Sequence, residues 1–333
     1  MRLLKNSDAS DFQPQLDAWL RPGALVSSAD EAPLLLGPNA RSERVVAVVA
    51  GEAVSHAALY VHQVHVHGCP LSVGVIGAVA TDPRWRHHGL AGQVLAEIEG
   101  LARAQNLDLL ALWATDTGLY EQAGYVRSGR EWIAVWQNDD TDGPYRVRAL
   151  EANDLPALMG IHARESVHTQ RSLADWQALA RIPAMTSCVA VDQADAVHAY
   201  AFCGKGIDLE NCIHEWAGVA GALPALASYT RASLRVPEIY IMGGPHQASV
   251  LQVLQQQSVA IRQGALGMLR LLRPAAVAER FRLTGVLATL EAQPDCEALE
   301  RDAAEQVPPE VRLFGDDQRT GLIALHLSGL DSM

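Results

Sequence analysis

Cysteine is scarce in this chain. There are five in 333 residues (Cys69, Cys188, Cys203, Cys212 and Cys296), scattered, odd in number and never spaced as C-x-x-C. That pattern excludes a disulfide framework, a thiol-redox pair and a zinc ribbon. Positive charge is also short: 26 Lys and Arg stand against 38 Asp and Glu, a formal net charge of -12. A polyanion such as nucleic acid would be repelled over most of such a surface. No apolar run approaches the ~18 uninterrupted residues of a membrane-spanning helix. The opening MRLLKNSDASDF has no apolar signal core either. The expectation is a cytoplasmic protein with reduced thiols and with neither nucleic-acid nor membrane partners.

Core-forming material is ample, since 49% of the residues are hydrophobic and 19% charged. The length suits two or three compact units. Val45–Ala50 and Val54–Val66 read as strands. Val73–Thr81, VGVIGAVAT, is apolar almost throughout, as in a strand buried on both faces. From Gly92 to Gln105 the period becomes helical, with Val94, Leu95, Ile98, Leu101 and Ala102 on one face. Leu109–Trp113 reads as a strand, 117–122 as a short helix, and Tyr125–Trp136 as one further strand.

The tract Asn138–Pro144, NDDTDGP, carries no hydrophobe and predicts a domain boundary. Beyond it the rhythm repeats. Strands are expected at 145–150, 187–191, 198–204, 213–217 and 238–242, and helices at 154–165, 174–180, 223–234 and 248–257. The division expected is 1–142, 143–265 and a short C-terminal region, 266–333. Strands alternating with helices make the class α/β, or α+β with a mixed sheet.

The informative stretch is Val79–Ala91, VATDPRWRHHGLA. A buried strand ends at Asp82-Pro83, a basic loop follows through Arg84, Arg86, His87 and His88, and Gly89-Leu90-Ala91 opens the amphipathic helix. Main-chain N–H groups at a helix N-terminus carry partial positive charge, and a glycine lets an anion approach them closely. Arginines add charge-assisted bonds. A pyrophosphate suits such a loop.

Arg86-His87-His88-Gly89-Leu90-Ala91 resembles the acetyl-CoA signature of the GNAT acetyltransferases, Q/R-x-x-G-x-G/A. Leu119-Tyr120-Glu121-Gln122-Ala123-Gly124-Tyr125 is similar to the family's F/L-Y-x-x-x-G-F/Y element. The resemblance implies that main-chain groups of Val79, Ala80 and Thr81 pair with the pantetheine arm. It further implies that the N–H groups from Arg86 to Ala91 hold the pyrophosphate and that Arg84, Thr115 and Asp116 also contact the cofactor. Tyr120 would be the general acid that protonates the departing thiolate, with acetyl-CoA the co-substrate and an amine of a small molecule or peptide the acceptor. No metal is expected, and homo-oligomerisation is left open.

The strand Val73–Thr81 has no carboxylate to act as base. Two GNAT-like units followed by an extension resemble the enhanced intracellular survival family of tandem GNAT acetyltransferases, in which the terminal carboxylate enters the first unit's active site. The resemblance makes the Met333 carboxylate the candidate base, with Asp331 as a substitute, although 266–333 is shorter than that family's C-terminal domain. In the second unit the strand 213–217 is followed by GVAGAL, without an arginine, so no CoA site is expected there. Glu215 and Trp216 face either the acceptor channel or the core. His65 and His67 share a strand face with Cys69 beyond, and line a pocket or bind a metal. The rival functions are a GNAT-fold acyltransferase using another acyl-CoA and a non-catalytic CoA-binding scaffold or sensor.

Overall fold

The computed structural model describes residues 2–5, 12–139, 143–283, 309–316, 325 and 327. The chain opens with β1 (Arg2–Lys5), α1 (Gln13–Leu20), α2 (Ser28–Glu31), β2 (Glu43–Val49), β3 (Glu52–Val66) and β4 (Cys69–Thr81). There follow α3 (Leu90–Ala104), β5 (Leu109–Leu112), α4 (Gly118–Gln122), β6 (Val126–Ser128) and β7 (Glu131–Trp136). The second series is β8 (Arg146–Ala149), α5 (Leu155–His162), β9 (Val167–Thr169), α6 (Leu173–Leu179), β10 (Thr186–Val191), β11 (Val197–Cys203) and β12 (Cys212–Gly218). It continues with α7 (Leu223–Leu234), β13 (Ile239–Gly243), α8 (Ala248–Gln256), β14 (Ala260–Gly264) and β15 (Gly267–Leu271). Last come α9 (Pro274–Leu283) and α10 (Pro309–Phe314).

The strands form two mixed sheets. One runs β1-β2-β3-β4-β5-β15-β6, with β9 beside β3, and the other β14-β7-β13-β12-β11-β10-β8. Among the described residues each contains one parallel pair, and in each the pair separates after a few rungs. β4 meets β5 only where Val73–Val75 face Leu109–Ala111. β12 meets β13 only at Cys212–Ile213 opposite Tyr240–Ile241. Beyond those rungs the strands part, and each sheet has a gap at its centre.

The sheets exchange strands across both expected boundaries. β7 precedes the polar tract yet pairs with β13 and β14. β15, expected in the C-terminal region, lies between β5 and β6. The single strand expected over 125–136 is therefore two strands in two sheets. Gly129 makes the break: its φ is +75°, and a Cβ there would sit 2.6 Å from Leu266 Cβ. A side chain would meet both steric and conformational cost, so the chain turns from one sheet to the other at this residue.

Both faces of the first sheet are covered, which explains the apolar run of β4. On one face Leu90, Val94, Leu95 and Ile98 of α3 pack on Leu59, Ile76 and Leu110. On the other, Val277 and Phe281 of α9, Phe314 of α10, Leu325 and Leu327 pack on Val73, Val75 and Leu269. Arg280 anchors α9 by two bonds of 2.6 and 2.9 Å to the buried Asp108.

Candidate functional site

The gap in the first sheet begins at a bulge. His56 pairs with Ala80 but Ala58 with Gly77, so β4 carries one residue more than β3. Ala78 takes φ +52°, a conformation that disfavours residues with a Cβ. The bulge is held by His56, whose Nδ1 lies 2.8 Å from the Ala78 carbonyl oxygen. Arg44 Nε lies 3.2 Å from His56 Nε2, and a guanidinium can only donate. Nε2 therefore accepts and Nδ1–H donates to Ala78. Burial, with Arg44 nearby, lowers the imidazole to about 3, so it stays neutral and keeps that tautomer.

Beyond the bulge, Val79, Ala80 and Thr81 are half-buried. Past Val75, no described strand pairs with β4 on the side facing β5. A strand edge of this kind can take an extended ligand carrying amide groups.

Asp82 turns the chain by accepting the Arg84 amide at 2.8 Å. His87 has φ +64° and Gly89 φ +73°. Left-handed residues alternating with right-handed or extended ones aim successive amides to one side, forming an anion-binding nest. No atom lies within 4 Å of a Cβ built on Gly89, so its backbone conformation, not crowding, selects glycine. Gly89 is also the N-cap of α3 and has no side chain to accept the helix's first amides. The first intrahelical acceptance is Gln93 N to Gly89 O at 3.2 Å. The amides of Leu90, Ala91 and Gly92 precede it and remain available to an anion.

Of the residues predicted to bind cofactor, Val79, Ala80, Thr81, Arg86, His87, Gly89, Leu90, Ala91 and Asp116 line one cleft of about 860 Å³, together with Tyr120. Trp19 and Leu20 of α1, which the sequence did not mark as site residues, also line it, as does Trp85, a candidate aromatic surface within the same loop. Arg84, His88 and Thr115 do not. Arg84 binds Asp82 at 2.8 Å and Glu52 at 3.3 Å. His88 Nδ1 lies 2.8 Å from the Arg86 carbonyl oxygen.

Tyr120 stands on α4, whose entry is fixed by Asp116 Oδ1 accepting the Gly118 amide at 3.2 Å. It lines both this cleft and a second cavity of about 370 Å³. Burial, and then the Asp116 carboxylate, push its hydroxyl above the ordinary tyrosine range. A tyrosine of that kind keeps its proton at neutral pH. Met333 and Asp331 lie outside the described residues. Leu327, six positions before Met333, lines the second cavity.

Beside the parting of β12 and β13 lies a much smaller cavity, about 30 Å³, lined by Glu215, Trp216, Met242 and His246 among others. Glu215 receives two bonds from Arg171, at 2.8 and 2.7 Å, and one from the Tyr200 hydroxyl at 3.0 Å. The Arg171 guanidinium lies 4.9 Å from the Trp176 ring centre. Glu215 is thus ion-paired inside the protein, lining the small cavity and not the one that Tyr120 lines, and Arg171 is the partner that sequence reading missed. Pro224 stands in the first turn of α7, where it removes one amide that an anion would need. His65 stacks on His168 with centroids 5.1 Å apart and lines neither the cleft nor the cavity. Among the described residues there is no group of three or more His, Cys, Asp or Glu able to hold a metal. No described helix is long and apolar enough to cross a membrane.

Residues 28–127 match the family model of an acetyltransferase (GNAT) domain. Solved structures share the fold at low identity. A probable N-acyltransferase from Enterococcus faecalis is 14% identical over 84% of this chain and 74% of its own, with a TM-score of 0.63. A GCN5-related N-acetyltransferase from Anabaena variabilis is 16% identical over 81% and 73%, with a TM-score of 0.61. Eis1 from Mycobacterium abscessus is 17% identical over 84% and 76%, with a TM-score of 0.55. No curated protein sequence matches the chain. Residues 28–127 thus match a GNAT acetyltransferase domain, and over the longer stretch these structures cover the likeness is one of fold.

Proposed function

We propose that the chain is an acetyl-CoA-dependent N-acetyltransferase that transfers the acetyl group directly to a primary amine in a ternary complex. The observation that carries this reading is the position of Tyr120, in the wall of the loop-and-helix cleft and of the adjoining cavity at once. An anion in the nest and an amine in the cavity would then approach the same hydroxyl from two sides.

Each group has a stated part. The amides of residues 86–91 and the Arg86 guanidinium hold the pyrophosphate, and the free edge of β4 at Val79–Thr81 aligns the pantetheine arm. Tyr120 keeps its proton until the thiolate departs. General acid help of this kind is worth about 10²–10⁴-fold. Burial pushes the thiols of Cys188 and Cys212 up to about 12. Neither is a nucleophile at neutral pH, in keeping with transfer without an acyl-enzyme.

In this reading the two sheets are tandem GNAT-like units, and only the first binds CoA. Each has one parallel pair that parts, and each receives beside that pair a strand from the other's stretch of chain, β15 in one and β7 in the other. β15 follows the second unit's stretch of chain yet completes the first unit's sheet, between β5 and β6. Release of free CoA from acetyl-CoA, measured with a panel of primary amines, tests the reading. Turnover with at least one amine is expected, whereas CoA binding without any turnover would favour the non-catalytic scaffold.

A further inference from the structure

We propose that the cavity between the two sheets is the acceptor site, that it takes an amine with one positive charge and an apolar body, and that Glu131 accepts the amine proton. This rests on the acetyltransferase reading above. The cavity is walled by Ile76, Leu112 and Tyr120 from the gap of the first sheet and by Glu131 and Met242 from the second. Glu131 reaches it only because the chain breaks at Gly129 and β7 joins the other sheet. β4 itself carries no carboxylate.

Glu131 differs from the other acids of the cavity. Glu31 and Asp208 both bind Arg21, at 3.2 and 2.7 Å, and their charge is already spent on that cation. Glu131 Oε2 is buried and has no hydrogen-bond partner among the described residues. A buried carboxylate oxygen without a donor disfavours the charged form, while Glu131 itself lines the cavity in which an ammonium group would sit. The other charged or titratable groups around it are Lys205 and Asp208 on the loop 204–211, Cys212 on β12, Tyr120, Arg21 and Glu31. Arg130 is its neighbour in sequence and bonds to Gln263 of β14, and Arg262 lies on the same strand. Burial alone pushes Glu131 up to about 7, so it takes and releases a proton near neutral pH.

The step balances. R–NH3+ gives one proton to the Glu131 carboxylate, and the freed nitrogen attacks the thioester carbonyl carbon. As the C–N bond forms and the C–S bond breaks, the thiolate takes the Tyr120 proton. The second nitrogen proton returns to the Tyr120 oxygen. Glu131 releases its proton to solvent, and the products are the amide and free thiol. About 370 Å³ of cavity suits a small aralkyl or alkyl amine.

Two measurements on the full chain test this. The first follows the glutamate carboxyl carbons by NMR between pH 4 and 9, in wild type and Glu131→Gln, without ligand. One resonance with a midpoint near 7 should be missing from the variant; a Glu131 midpoint near 4.5 overturns the proposal. The second follows CoA release with acetyl-CoA and phenethylamine, among other amines. For whichever amine the wild type turns over, Glu131→Gln should lower kcat at least 100-fold and remove the limb that rises through pH 7. The KM for acetyl-CoA should stay within two-fold, and Glu131→Asp should recover part of the rate. Deleting Ser332-Met333 should leave the limb in place. Wild-type kcat in Glu131→Gln, or loss of the limb on deletion, overturns Glu131 as base and leaves the acetyltransferase reading standing. Acetyl-CoA binding with no amine turned over sinks that reading, and this proposal with it.

Discussion

His56 Nδ1 donates across 2.8 Å to the carbonyl of Ala78, the residue at which the cofactor strand bulges. A buried imidazole on one strand thereby sets the conformation of the next, just before the loop that offers amides to an anion. His56→Leu would take the donor from that carbonyl and one of its bonds from Arg44, whose bond to Gln13 at 3.1 Å would remain. It should cost about 1–3 kcal/mol of stability and weaken acetyl-CoA binding. Chemical denaturation with calorimetric titration checks both; lost stability with unchanged affinity would separate the bulge from the cofactor site.

The same burial makes the protein acid-sensitive. His56 and His214 are both lowered to about 3. A group whose folded value lies below its unfolded one contributes stability that is complete above the unfolded value, about 6.5, and is lost as pH falls towards the folded value. Each such histidine should steepen the fall by up to ~1.4 kcal/mol per pH unit in that window. Denaturation curves between pH 7 and 4 would show it, and a flat profile would contradict it.

Glu131 has the opposite sign. Its folded value is raised, so its contribution is complete below about 4.5 and is lost as pH rises through about 7. Glu131→Gln should match wild type at pH 4 and exceed it at pH 8.5, by no more than ~3 kcal/mol. Equal stabilities at pH 8.5 would mean that the carboxylate is not desolvated.

The two loop arginines should separate cleanly. Arg86 lines the cleft, whereas Arg84 is engaged by Asp82 and Glu52. Arg86→Ala should weaken acetyl-CoA binding by about tenfold, the worth of one bond to a charged group. Arg84→Ala should change it less than two-fold. The reverse order, read by calorimetry, would place the phosphates elsewhere.

In the second sheet, Glu215→Ala would remove the carboxylate that takes two bonds from the buried Arg171 guanidinium and should destabilise by about 3–5 kcal/mol. The double change Arg171→Met with Glu215→Leu should cost less. Denaturant midpoints decide, and additive losses would show the pair to be uncoupled.

Local chemistry was the part legible in the sequence. The apolar run of β4, the helical period of α3 and the loop around Gly89 each lie within a few residues, and nine of the twelve residues expected at the cofactor meet in one cleft. What sequence could not supply was pairing over long distance. Tyr125–Trp136 has the composition of a single strand, and only the contact of Gly129 with Leu266, far along the chain, divides it. Glu131 was missed for that reason: its neighbours come from the other sheet. Arg171 was missed because nothing near it in sequence points to Glu215. The short β9 and β14 have few apolar residues to betray them.

Calorimetric titration with CoA is the most direct measurement. With the Gly89 nest and its unpaired first-turn amides at the start of α3, and Pro224 and no arginine at the start of α7, one CoA should bind per chain, and Arg86→Ala should weaken that single event. Two sites per chain, or no heat of binding at all, would contradict this.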